Sequence, residues 1–272
     1  MTVMKILITG EPRSGKTTLL EDFIDGIPNK QGFVTREVRR GGERVGFEAV
    51  SSSGKTATIA SIHSNSTLRV SRYGVEIDAF NQFLIELPAP TVGNLAYIDE
   101  IGQMQLYSNL FKKIITQYLD SGVMYVGTVS SVYSDDFVEM VKDRSDTILV
   151  YVTAENYMAL KEIFGYIASN LPIIEKLDEL THERLTQMAR DYAMSQSLTQ
   201  MRKLFKNAVR YVSNGGVRKD GENYIVAGNT GKHVVYKLGA ACDCDLFKGT
   251  GEYEGRAGEC SHVQAVKLMG FI

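Results

Sequence analysis

The amino-acid sequence predicts an α/β core with a mostly parallel sheet, followed by a smaller region of different character. Three observations carry that expectation. Apolar runs suited to buried strands alternate with segments of helical periodicity across roughly residues 3–168. A glycine-rich loop, Gly10-Glu11-Pro12-Arg13-Ser14-Gly15-Lys16-Thr17-Thr18, sits between the first strand and the first helix. The three cysteines all lie between positions 242 and 260, beyond the alternating elements.

Bulk properties narrow the class. A length of 272 residues points to two domains. Hydrophobic content of 44% with 23% charged residues excludes a disordered or fibrous chain. A net charge of −2 gives no whole-chain field that would draw the protein to nucleic acid or membrane. The first residues contain Lys5 and run straight into the glycine-rich loop, unlike a secretory leader, and no stretch reads as a spanning helix. The expected setting is soluble and cytoplasmic. An odd, clustered set of cysteines fits metal binding or free thiols rather than a disulfide framework.

The first strand is the apolar run Val3 to Ile8, and the first helix carries Leu19, Leu20, Phe23 and Ile24 at helical spacing. The loop between them reads G-x-x-x-x-G-K-T. Its backbone N–H groups, with Gly10 and Gly15 permitting the curl, form a cradle for phosphate oxygens at a helix N-terminus. In that pattern Lys16 reaches the β- and γ-phosphates and the Thr17 hydroxyl binds Mg²⁺. Gly32 to Val50 reads as two β-runs turning at Gly41-Gly42, with a third after Ser53-Gly54-Lys55, as an antiparallel β-hairpin insertion. Its Arg36, Arg39, Arg40 and Arg44 face either a nucleotide or solvent. Residues 76–86 read as a helix ended by Pro88 and Pro90.

The run Asn94-Leu95-Ala96-Tyr97-Ile98-Asp99-Glu100 ends an apolar strand in two acids, the Walker B pattern. Asp99 would hold Mg²⁺, and Glu100 would activate an attacking water. A helix is expected over 107–119, then a strand over Val123–Thr128, with Thr128 a candidate sensor of the γ-phosphate. A helix from Phe137 to Lys142, a loop with Arg144, a strand over Ile148–Val152 and a helix from Ala154 to Ile167 complete the alternation. Arg144 is a candidate arginine finger. Ligand is expected beyond the carboxyl ends of the strands.

The phosphate loop, Gly32-Phe33-Val34-Thr35-Arg36-Glu37-Val38-Arg39, Val45-Gly46-Phe47, Tyr73-Gly74-Val75-Glu76, Asp99-Glu100-Ile101-Gly102-Gln103-Met104 and Thr153-Ala154-Glu155-Asn156 together resemble a small family. It is the nucleoside-triphosphatase family first known from thermophiles, with a vertebrate member called cancer-related nucleoside-triphosphatase. The resemblance covers residues 3–168. It implies a RecA-like P-loop NTPase core that hydrolyses ATP, GTP and other nucleoside triphosphates slowly and with little base preference. It carries over the phosphate loop with Lys16 and Thr17, Asp99 for Mg²⁺ and Glu100 as base. This chain departs from the family pattern at Gln103, Gln105 and Tyr157.

Pro172 opens a different region, with amphipathic helical spacing from Ile173 to Tyr192 and from Leu198 to Val212. Arg202, Lys203, Lys206, Arg210, Arg218 and Lys219 fall in a stretch from Met201 to Lys219 without an acid, either a solvated face or a surface for nucleic acid or an acidic partner. A hairpin over Asn223–Leu238 leads to Cys242-Asp243-Cys244, and Cys260-Ser261-His262 opens a short helix. Cys242, Cys244, Cys260 and His262 complete a tetrahedral, structural Zn²⁺ set. The pattern resembles the SWIM zinc finger across residues 210–270, which implies a module that binds DNA or protein. The expected division is a P-loop domain at 1–170, a helical connector at 171–214 and a small ββα zinc-finger domain at 215–272. The expected activity is Mg²⁺-dependent hydrolysis of nucleoside triphosphates. A nucleotide or small-molecule kinase, or a nucleotide-switched nucleic-acid-binding protein, are the alternatives on the same core.

Overall fold

The computed structural model describes residues 3–89, 91–244 and 259–272. Its contacts divide the chain into two compact units, Met4–Tyr157 and a second spanning Met158–Ile272.

The first unit is built on a nine-stranded sheet in the order β5-β6-β4-β3-β2-β7-β8-β1-β9. Its parallel part comprises β1 (Lys5–Thr9), β2 (Lys30–Arg40), β7 (Leu95–Ile101), β8 (Tyr125–Val129) and β9 (Thr147–Tyr151). All five residues of β1 and of β8 are buried, as expected of central parallel strands that read as continuous apolar runs. The segment expected as an inserted hairpin instead extends this sheet. β2 pairs in parallel with β7 and in antiparallel with β3 (Glu43–Ser51), which pairs with β4 (Thr56–Ser61). The short β5 (Arg69–Val70) and β6 (Tyr73–Val75) close that edge.

Helices cover the sheet: α1 (Lys16–Asp25), α2 (Ile77–Ile85), α3 (Gln103–Leu106), α4 (Asn109–Asp120) and α5 (Asp136–Lys142). α2 turns Phe80, Phe83 and Leu84 inward. Phe33 of β2 meets Phe80 and Phe83 edge-on, with ring centroids 5.8 and 5.5 Å apart. α4 starts where the Ser108 hydroxyl accepts the Phe111 N–H, an N-cap. The second proline expected to end α2, Pro90, lies outside the described residues.

α6 (Tyr157–Ile174) corrects the sequence reading. It runs through Pro172 and past Ile167, the expected end. Its buried face continues unbroken through Ile167, Asn170, Leu171 and Ile174, and the Asn170 amide donates to the Phe205 carbonyl at 2.6 Å. A proline in the last turn removes one donor only, and that packing outweighs it. The division between units therefore falls at Tyr157, ahead of the expected boundary at 170.

In the second unit, α7 (Glu179–Met194) is capped by Asp178. α8 (Leu198–Lys203) passes through a π-turn, Leu204–Ala208, into α9 (Val209–Ser213). A four-stranded antiparallel sheet follows: β10 (Val217–Asp220), β11 (Asn223–Gly228), β12 (Gly231–Tyr236) and β13 (Ala241–Cys242). The last helix is α10 (Ser261–Leu268). Gln264 is fully buried and its amide donates to the Gln200 carbonyl at 3.0 Å, tying α10 to the start of α8. The expected connector and zinc-finger regions thus form one unit. Among the described residues no helix is long and apolar enough to cross a membrane.

Candidate active site

The phosphate loop leaves the carboxyl end of β1, and Gly15 with φ +97° forms the N-cap of α1. The Lys16 ammonium donates to the carbonyls of Gly10 at 2.9 Å and Glu11 at 3.1 Å. The Ser131 hydroxyl, from the loop after β8, donates to the same Gly10 carbonyl at 2.8 Å.

Asp99, on β7, is the meeting point. The Thr17 hydroxyl lies 3.1 and 3.0 Å from its two carboxylate oxygens, and the Thr128 hydroxyl donates to Oδ1. The Thr35 hydroxyl donates to its carbonyl at 2.5 Å and accepts the Gln105 amide at 3.2 Å. Thr128, expected as a phosphate sensor, is fully buried and engaged with Asp99. Burial drives the Asp99 carboxyl above its ordinary range, and the Thr128 and Thr17 hydroxyls only partly oppose that. Burial raises Glu100 as well, with the Asp99 charge adding to it and Lys16 opposing. Gly102 makes room for Glu100: a Cβ there would lie 2.6 Å from Glu100 Oε1.

Lys16, Thr17, Asp99, Glu100 and Gln105 line one cavity of about 550 Å³ together with Pro12, Arg13, Gly15 and Thr18. Its far wall is Thr35, Glu37, Arg44, Phe47, Val70 and Met104. Arg44 is the arginine of the β2–β3 set that reaches it. Arg36 is paired instead with Glu21, and Arg39 with Glu37.

Arg144, expected as an arginine finger in cis or from a neighbour, does not reach the phosphate loop of its own chain. Arg144 precedes β9, whose Thr147 pairs with Lys5 at the amino end of β1, so it sits at the edge of the sheet opposite the phosphate loop. Its guanidinium is held by Asp146 at 2.9 Å and Asp120 at 2.8 Å.

A second cluster lies in the second unit. Cys242, Cys244, Cys260 and His262 are all buried, and their ligand atoms lie within 4.8 Å of one another. His262 Nδ1 is 3.7 Å from Cys242 Sγ and 3.8 Å from Cys260 Sγ. Zn–S and Zn–N bonds of about 2.3 and 2.0 Å at tetrahedral angles set ligand atoms roughly 3.6 Å apart, so the set fits that metal. The Cys242 thiol donating to Cys260 lowers Cys260 and raises Cys242. The His262 ring is clamped between Tyr211, 5.3 Å away and parallel within 9°, and His233 at 4.2 Å. A Cβ on Gly228 would lie 2.3 Å from His262 Nε2. His233 thus packs directly on the His262 ring; no spacing in the sequence signals this.

Part of the basic stretch is spent internally. Arg202 pairs with Glu162 at 3.1 Å, Lys203 donates to the Glu259 carbonyl at 3.2 Å, and Lys206 sits over the Tyr166 ring at 5.0 Å. Arg210, Arg218 and Lys219 are exposed.

The model of the NTPase family matches residues 5–164. The chain belongs to the NTPase family. It is 33% identical to nucleoside-triphosphatase THEP1 of Thermotoga maritima over 170 residues, 61% of this chain and 97% of that protein. It is 32% identical to the human cancer-related nucleoside-triphosphatase over 174 residues, 56% of this chain and 89% of that one. The crystal structure of THEP1 from Aquifex aeolicus superposes with a TM-score of 0.53 at 31% identity, covering 58% of this chain and 95% of that one. The solution structure of the human protein gives 0.51 at 29% identity, covering 62% and 97%. The α/β P-loop fold is shared with both.

The Asp99 environment makes a testable trade. A carboxyl whose pKa is raised on folding stabilises the fold most below the ordinary carboxylate range, and that contribution is lost as pH rises through the raised value. At neutral pH the buried charge is a net cost. Asp99→Asn should therefore raise the melting temperature in chelator, by about 1 kcal/mol of stability, while phosphate release falls. A lower melting temperature at neutral pH would refute this account of the site.

Proposed function

We propose that the first unit hydrolyses nucleoside triphosphates with Mg²⁺, with little preference among bases. The observation that carries this is the convergence of Lys16, Thr17, Asp99 and Glu100 on one cavity at the carboxyl end of the parallel strands. Thr17 and Asp99 would hold the cation, which when bound offsets charge on the β- and γ-phosphates. Lys16 exchanges the Gly10 and Glu11 carbonyls for phosphate oxygens. Glu100 accepts the proton of the attacking water as the new O–P bond forms and the bond to the β,γ-bridging oxygen breaks. Family membership and the names of the relatives support the triphosphatase reading. A second reading, transfer to an organic hydroxyl, is favoured by the apolar residues Phe47, Val70 and Met104 that line the same cavity as Glu100.

Free phosphate should appear from ATP and GTP with Mg²⁺. Lys16→Ala and Glu100→Gln should each lower the rate by on the order of 10²-fold or more, with thermal unfolding showing the fold retained. Normal turnover by Lys16→Ala would remove the assignment.

The second unit is read as a zinc-held module that engages DNA or a protein partner through exposed basic residues such as Arg210, Arg218 and Lys219. Zn²⁺ on the Cys242, Cys244, Cys260 and His262 set has every position filled by protein, so its role is structural. Gly228→Ala, which drives a methyl into the His262 ring, should weaken zinc affinity by roughly 10- to 100-fold, the range for disturbing groups that orient a ligand. Competition with a chromogenic chelator measures this, and phosphate release by the same variant should be unchanged. Wild-type zinc affinity would count against His262 as a ligand.

A further inference from the structure

The cavity that holds the phosphate loop does not end there. It measures about 550 Å³, and its lining continues from Lys16 and Thr17 past Glu100 to Glu37, Arg44, Phe47 and Val70.

That outer lining lies in a definite direction. The sheet runs β1-β8-β7-β2-β3 from the phosphate loop outward, so the β3 wall stands four strands away, roughly 19 Å at the usual strand spacing. Val34 of β2 pairs with Asp99, so Thr35 and Glu37 continue that wall beyond the acid expected to hold Mg²⁺. In-line displacement brings the attacking atom from the side opposite the leaving nucleotide.

The chemistry of this outer part is that of a ligand site. Phe47, Val70, Met104 and Tyr133 are half-buried and line it. At its far end Arg44 is fixed by Glu37 at 2.6 Å, by the Tyr73 hydroxyl at 2.9 Å and by stacking over Phe47 at 5.0 Å. A donor and an acceptor thus stand side by side at the end of an apolar slot, with the Glu100 carboxylate in the same cavity. Water needs neither the slot nor the pair.

We propose that this outer cavity is an acceptor site for a nucleoside-sized, ring-bearing alcohol, and that the first unit transfers the γ-phosphoryl group to its hydroxyl. The ring lies between Phe47, Met104 and Tyr133, its polar edge meets Glu37 and Arg44, and its hydroxyl faces Glu100. The proposal rests on the reading of the phosphate loop given above. In the transfer, the hydroxyl oxygen forms a bond to the γ-phosphorus. The bond from that phosphorus to the β,γ-bridging oxygen breaks, and its electron pair leaves with the nucleoside diphosphate. The hydroxyl proton passes to Glu100 and then to solvent. Water attacks when the slot is empty.

The full-length protein with Mg²⁺ and ATP is given adenosine, guanosine, cytidine, uridine or thymidine in turn, and products are resolved by ³¹P NMR. The expected result is a nucleoside monophosphate formed saturably with at least one of them. Val70→Trp, which fills the slot, should cut that transfer at least tenfold and leave phosphate release without nucleoside within about twofold. Lys16→Ala should lose both reactions. The wild-type assay alone overturns the proposal if no nucleoside gains phosphate and none alters phosphate release. A Val70→Trp protein whose KM for ATP rises tenfold also overturns it, since the cavity then holds the triphosphate's own base. Hydrolysis that survives Lys16→Ala would instead bring down the phosphate-loop reading beneath it.

Discussion

The first unit depends on one carboxylate withdrawn from water. Asp99 ends a parallel strand and receives hydroxyls from the helix after the phosphate loop and from the neighbouring strand, through Thr17 and Thr128. Its carbonyl is held by Thr35 of β2. These contacts fix the relative positions of β2, β7, β8 and α1. All the donors are neutral, so they satisfy lone pairs without cancelling charge. A desolvated carboxylate with neutral donors alone has strong reason to bind a cation, because a cation offsets the desolvation that raises its pKa. The group that organises the site is thus also the one that leaves it electrostatically incomplete.

The second unit gathers sulfur instead. β10 to β13 and α10 belong to one unit with α6 to α9, whose buried residues include Phe164, Phe205, Val226 and Val266. Cys242, Cys244, Cys260 and His262 lie buried together in it. His262 is held by stacking with Tyr211 and His233 and by the missing side chain at Gly228. A ring held this way keeps Nδ1 aimed at the thiols with little rotamer entropy left to lose.

Much of this was legible in the sequence, for identifiable reasons. The phosphate loop, the strand ending in Asp99-Glu100 and the Cys/His pattern are local: their chemistry follows from residues close in the chain. What was hidden depends on pairing across strands. That Thr128 and Thr35 serve Asp99 follows from the registers of β7 with β8 and with β2, which no local spacing reveals. Which arginine of the β2–β3 pair reaches the cavity turns on an irregularity between Val38 and Arg39, which upsets simple face alternation. β10 escaped notice because Val217-Arg218-Lys219-Asp220 offers one apolar residue and no alternation. Arg144 was a different failure, since it was available in principle. A loop that runs from a helix into a parallel strand lies at the sheet's amino edge, away from a phosphate loop that leaves a strand's carboxyl end.

Adjacent acids on a regular strand would point to opposite faces, yet Asp99 and Glu100 line the same cavity. The ladder between β7 and β8 is irregular between Ile98 and Ile101, so the two acids lie where strict alternation does not hold. Gly102 then clears the volume that the Glu100 carboxylate occupies. The dipeptide becomes a site only because the strand stops being regular beneath it. The same departure places Glu100 on the cavity that Lys16 and Thr17 also line.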